Sequence, residues 1–131
     1  MKKKKLSSLK RKADKLWSER VREVGVCCFC GSTAHLNSHH CVSRRYTPLR
    51  WDLRNGICLC CKCHKFDISG SSHNNPWVVM DWLRDHRPDD INYLREMSKQ
   101  PIKKTSVEDI EKIIKALRGF VSRKPTSLAV G

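Results

Sequence analysis

The sequence predicts an α+β fold, a small cysteine-rich core flanked by N- and C-terminal helices, and three observations predict it. Residues 26 to 67 hold nearly all the Cys and His and few long apolar runs. Such a stretch buries too little surface to fold alone, so a metal ion is expected to staple it. Apolar residues recur at helical spacing on both sides of it. The length, 131 residues, suits one compact domain with appended helices rather than two full domains.

From the N-terminus, "MKKKK" reads as a charged tail. Between Ser7 and Val24 the apolar positions Leu9, Ala13, Leu16, Trp17, Val21 and Val24 recur every three to four residues, which describes one face of a helix that Gly25 stops. Residues 1–24 therefore form a basic tail and amphipathic helix, ahead of a metal-bound core at 25–73. "GSSHNNP" is a loop. Asn75 is the expected N-cap and Pro76 the first residue of a helix through Trp77, Val78, Trp82 and Leu83, closed by Pro88. Asp89 or Asp90 is expected to cap a short helix through Ile91, Leu94 and Met97, and residues 74–104 make a helical packing segment. In the last unit, 105–131, Thr105-Ser106-Val107-Glu108 is a capping-box pattern, and Ile110, Ile113, Ile114, Leu117 and Val121 share one side of the final helix. These downstream helices carry no catalytic signal.

Lys and Arg number 27 against 13 Asp and Glu, a formal net charge of +14. That excess points to a polyanionic partner, and Lys10, Arg11, Lys12, Lys15, Arg20 and Arg22 put part of it on the first helix. No apolar run approaches the roughly eighteen residues of a membrane span, and no signal-peptide core follows the basic start. The expectation is a cytoplasmic protein with no membrane partner. In a reducing compartment, eight cysteines clustered as close pairs beside histidines favour zinc over disulfides.

Cys27 and Cys30 form one CxxC with Gly31 behind it, a knuckle turn that aims two thiolates at one point. The second pair is open on spacing, since Cys58/Cys61 and Cys60/Cys63 both fit. Four thiolates close a tetrahedral zinc site with no position left for chemistry, so its role is folding.

Asn55 stands nine residues before His64, and the pair His39-His40 lies fifteen before Asn55. With these spacings "SHHCV … RNGICLCCKCH" resembles the HNH nucleases, the ββα-metal class, over roughly residues 25 to 70. Many members carry two flanking CxxC pairs, the second written Leu-Cys-x-x-Cys-His, here Leu59-Cys60-Cys61-Lys62-Cys63-His64. The resemblance implies structural zinc on Cys27, Cys30, Cys60 and Cys63, with Cys28, Cys58 and Cys61 left to packing. It implies His40 as general base, His39 and His64 as ligands of a catalytic Mg²⁺ or Mn²⁺, and Asn55 as the residue orienting the base-bearing loop. Most of the class has Asp where His39 stands, although the nuclease colicins use His-His. The colicins also place a ligand His four residues beyond the match to His64, where this chain has Ile68; Asp67, near the same helix face, is the substitute. His64 beside Cys63 also suits a Cys3His zinc site. A neutral imidazole near its ordinary pKa can take the proton of an attacking water, and a metal stabilises the charge that develops on the phosphate.

A narrower likeness joins the helix before the first CxxC, the His-led segment and the run Leu49-Arg50-Trp51-Asp52-Leu53-Arg54-Asn55. Together these are similar to the phage recombination proteins of the NinG (Rap) family, which implies action on branched recombination intermediates such as Holliday junctions and D-loops. Around the site, Arg44, Arg45, Arg50, Arg54, Lys62 and Lys65 are the candidate phosphate contacts. The partner expected is DNA, duplex or branched, with a homodimer among the allowed assemblies. Two other readings fit the same residues: a non-catalytic zinc module that binds nucleic acid, and a general or site-specific phage nicking HNH nuclease.

Overall fold

The structure is a computed structural model, and it describes residues 2–66 and 76–120. Its elements run α1 (Lys2–Arg22), β1 (Leu36–His40), α2 (Thr47–Arg50), a 3-10 turn (Leu53–Asn55), β2 (Gly56–Cys60), a π-helical turn (Lys62–Phe66), α3 (Pro76–His86), α4 (Pro88–Met97) and α5 (Val107–Gly119). This is a small α+β arrangement, helices around one two-stranded antiparallel hairpin. The hairpin pairs Leu36 with Cys60 at one end and His40 with Gly56 at the other, with His39 opposite Ile57.

Successive strand residues face opposite sides of a sheet, and this hairpin is covered on both. On one side Ser38 hydrogen-bonds Ser18 of α1, 2.7 Å between hydroxyls. There Gly56 lets α1 approach, since a Cβ on it would stand 2.4 Å from Val21 Cγ2 and 2.9 Å from Trp17 Cζ2. Asn55-Gly56 is therefore no hairpin turn; glycine is needed at this point because the helix lies against the strand. On the other side Ile57 and Leu59 join Leu49, Val79, Leu83 and Leu94 in one core. A second core joins Ala13 and Trp17 of α1 to Trp51 and to Ile110, Ile114 and Leu117 of α5. Arg20 fastens those two helices by donating to the Leu117 carbonyl at 2.7 Å, one of the carbonyls that a helix end leaves without an internal partner.

Boundaries depart from the sequence pattern in three places. α1 begins at Lys2, so the lysine run expected to be a tail is helical; lysine is a good helix former. α4 starts at Pro88 with Arg87 at the N-cap, and Asp89 and Asp90 occupy the first turn, where their charge favours the helix N-terminus. The capping box of α5 is built one residue later than the pattern suggested, by Ser106 and Asp109 rather than Thr105 and Glu108. The proposed cap Asn75 and apolar Val121 lie outside the described residues. No helix among the described residues is long and apolar enough to cross a membrane.

Candidate functional site

The knuckle is built by local backbone bonds. Gly31 N–H donates to the Cys27 carbonyl at 2.9 Å and Cys27 N–H to the Ser32 carbonyl at 2.8 Å, and Gly31 takes a φ of 77°, a conformation that costs glycine little. Cys28 N–H then donates to the Cys58 carbonyl at 2.9 Å, laying this turn beside β2. The result brings the sulfurs of Cys27, Cys30, Cys60 and Cys63 within 4.8 Å of one another. The Cys30 and Cys60 sulfurs are 3.6 Å apart. A tetrahedral zinc with Zn–S bonds of about 2.3 Å has S···S edges of about 3.8 Å, so these four residues fit the ion in size and donor type. They could hold a structural zinc.

Geometry also resolves the register that spacing left open. Cys60 and Cys63, not Cys58 and Cys61, complete the group. Burial pushes the Cys58 thiol up to about 12, with the neighbouring Cys28 and Cys27 adding to the rise. Burial likewise raises Cys41 to about 12 and raises Cys28, and none of these three belongs to the converging group. Cys27 behaves differently. Burial would raise it, but N–H groups of Cys60, Cys30 and Phe29 aimed at its sulfur outweigh that and lower it to about 7.

At the opposite end of the hairpin, His40 lies flat on the Trp17 indole, ring centroids 3.8 Å apart and planes within 10°. Its Nε2 is 2.8 Å from the Arg50 carbonyl. A carbonyl only accepts, so Nε2 carries the proton, and in the neutral ring Nδ1 is the basic nitrogen. Burial holds its pKa below the usual histidine value; the Arg50 carbonyl and Asp14 oppose that, and Arg44 and Arg50 reinforce it.

Asn55 is fully buried, and every side-chain hydrogen bond it makes ties down the segment that follows His40. Its Oδ1 accepts from Val42 N–H at 2.7 Å, and its Nδ2 donates to the Val42 and Leu49 carbonyls, both at 3.0 Å. The Cys41 N–H donates to the Asn55 carbonyl at 2.9 Å. Strand β1, the loop and α2 are thereby tied to the start of β2.

His39 faces the other way. Its ring meets that of His64 edge-on, centroids 5.1 Å apart, His64 being carried by the π-helical turn. The structure thus brings together His39 with His64, and His40 with Arg50 and Trp17, on opposite faces of the hairpin. Asp67 lies outside the described residues. Among the described residues, only the four-cysteine group assembles three or more metal-ligating side chains.

The candidate phosphate contacts divide. Arg45 and Lys62 are exposed. Arg44 is exposed and makes one bond to Asp14, 3.1 Å. Arg50 turns inward, gripping Asp14 through Nε at 3.0 Å and Nη2 at 2.7 Å. Arg54 bonds Asp52 at 3.3 Å and lies 3.3 Å over the Tyr93 ring. The side chain of Lys65 lies outside the described residues.

Two residues at this end carry no signal in the sequence. Asp14 accepts from Arg44, Arg50 and Trp51, and its partners lie thirty to thirty-seven positions away. Arg87 donates to the Gly56 carbonyl at 2.9 Å and the Arg54 carbonyl at 2.8 Å, pinning the start of β2. Neither sits in a spaced motif, so only their charge could have flagged them. Comparison with family models, with curated proteins and with solved structures returns no match for this chain.

Proposed function

We propose that this chain is a metal-dependent DNA endonuclease of the HNH kind that hydrolyses phosphodiester bonds with His40 as general base. The observation that carries the reading is the state of His40, whose Nε2 is tied to a backbone carbonyl and whose charged form is disfavoured by burial. A neutral imidazole with one nitrogen already hydrogen-bonded presents its other nitrogen as a proton acceptor near neutral pH. A histidine kept only for packing has no need of a second residue, Asn55, that commits all its side-chain hydrogen bonds to holding the segment after it.

His39 and His64 offer two imidazoles at one place, a donor type that suits a divalent transition metal such as Mn²⁺ and serves Mg²⁺ less well. Such an ion supplies charge stabilisation at a phosphate and its leaving oxygen. The chain's own residues do the rest. The scissile phosphate lies at the end of β1, where His39 and His40 leave the strand on opposite faces. Arg44, Arg45 and Lys62 hold flanking phosphates without reading bases. The net charge of +14 supports an extended polyanion as substrate. Branched recombination intermediates are the substrate suggested by the "LRWDLRN" run, and linear or supercoiled duplex are the alternatives.

The test is cleavage of linear duplex, supercoiled plasmid and branched DNA by zinc-loaded protein, with Mg²⁺ or Mn²⁺ and with EDTA. Metal-dependent cutting of any of the three supports the reading, and preference for the branched substrate supports the narrower one. Binding to all three with no cutting under any metal assigns the chain instead to non-catalytic zinc modules.

A further inference from the structure

Helix α1 presents Asp14 and Trp17 on one face, one turn apart, and each reaches the His40 end of the hairpin. Trp17 stacks on the imidazole itself and anchors its own indole N–H on the Asp52 carbonyl at 2.8 Å. Asp14 hydrogen-bonds the residues beside His40 rather than His40 itself. Its Oδ1 accepts from Arg50 Nε at 3.0 Å and from Trp51 Nε1 at 2.8 Å, and its Oδ2 accepts from Arg50 Nη2 at 2.7 Å. Arg44 adds a further bond to Oδ2 at 3.1 Å. Two consecutive residues, Arg50 and Trp51, are thus clamped by one carboxylate, and the peptide between them is the one whose carbonyl receives His40 Nε2.

We infer that Asp14 is a positioning residue: by clamping Arg50 and Trp51 it fixes the Arg50 carbonyl that selects the His40 tautomer. The catalytic part of this inference rests on the nuclease reading, and the tautomer part does not. A bidentate guanidinium–carboxylate pair is geometrically specific, and Asp14 is only partly exposed, so the clamp holds its shape. An acid beside a DNA-binding surface would ordinarily be selected against, because it offsets the attraction of the phosphates. Its presence among Arg44 and Arg50 is explained if those bonds hold the loop.

The sign of the effect separates positioning from simple electrostatics. Removing a negative charge from a DNA-facing surface should leave affinity unchanged or tighter, whereas a misplaced carbonyl should slow the chemical step. The experiment uses the full-length, zinc-loaded protein with Asp14→Ala and Arg50→Met, each alone and with His40→Ala. The readouts are the His40 ring ¹⁵N shifts, DNA affinity and single-turnover cleavage. The wild-type ring should report the Nε2–H form, and both single variants should lose that bias. Cleavage should fall by about 10–100-fold in both, at undiminished affinity in Asp14→Ala. With His40 already replaced, Asp14→Ala should cost nothing further, since residues acting as one unit are not additive. A wild-type tautomer in Asp14→Ala overturns the inference, as does a wild-type rate. If Asp14→Ala does not fold, Arg50→Met, which keeps the backbone carbonyl, is judged by the same criteria. If the wild type itself cuts no DNA, the nuclease reading fails, and the ¹⁵N shifts still decide whether Asp14 sets the tautomer.

Discussion

The two ends of one five-pair hairpin are held by different chemistry. At the Leu36–Cys60 end four thiols converge within 4.8 Å, a set that closes around a metal and leaves nothing open to a substrate. At the His40–Gly56 end the described residues form no such cluster. Order there comes from Asn55, Asp14, Arg87 and backbone carbonyls, which surround the half-buried imidazole of His40. On the function proposed above, rigidity and reactivity are divided along about 14 Å of strand, since the four steps between five residues rise about 3.4 Å each.

The strongest way to break this comparison is to remove the sulfur end. Cys60→Ser should abolish zinc binding and unfold the core, because structural zinc in small peptides contributes about 10–16 kcal/mol of folding free energy. Cys58→Ser should keep full zinc stoichiometry and lose only about 1–3 kcal/mol, the cost of a buried hydroxyl without a good partner. Metal content and circular dichroism check both. Equal zinc loss in the two variants would dissolve the assignment of Cys60 and Cys63 as the second pair.

At the other end, Asn55→Ala leaves a Val42 N–H and two carbonyls without their partner. It should cost about 3 kcal/mol or more, at roughly 1 kcal/mol or above for each buried group left unpaired. Chemical denaturation measures the loss, and zinc content should not change. Gly56→Ala comes next. Its Cβ would press Val21 and Trp17, and overpacking of that kind costs about 1–3 kcal/mol. Because Trp17 also supports His40, the variant should disturb the His40 ring signals while the cysteine signals stay in place.

Much of the sulfur end was legible in the sequence because its information is local. CxxC-Gly fixes a turn, and the turn fixes two ligands. What spacing could not supply was the choice between Cys58/Cys61 and Cys60/Cys63, because both pairs fit the same turn and only the convergence of the sulfurs in space separates them. At the hydrogen-bonded end, register with His64 singled out His40 and Asn55, but not what each histidine packs against. Strand alternation sends His39 toward His64 and His40 toward Trp17, and that depends on which residues α1 covers. Asp14 was silent because a carboxylate thirty or more positions from its arginines leaves no periodic trace. Arg50 and Arg54 looked like phosphate ligands from charge alone, and the structure gives each an acidic partner within the chain.

That division gives the smallest of these effects. Replacing Arg44 and Arg45 by Ala should weaken DNA binding and flatten its salt dependence by up to about two counterions, roughly one for each phosphate no longer neutralised. Replacing Arg50 and Arg54 should lower thermal stability instead, with a smaller change in the salt slope. Titrations at several salt concentrations distinguish the pairs, and equal slopes for both would mean that the inward bonds of Arg50 and Arg54 open on DNA.

The claim that one end folds the hairpin and the other does chemistry is tested most directly by His40→Ala in zinc-loaded protein, with cleavage and DNA affinity measured on the same preparation. Loss of a positioned general base should lower the cleavage rate by about 10²–10⁴, while zinc content, fold and affinity stay at wild-type levels. Wild-type cleavage by His40→Ala would contradict the account.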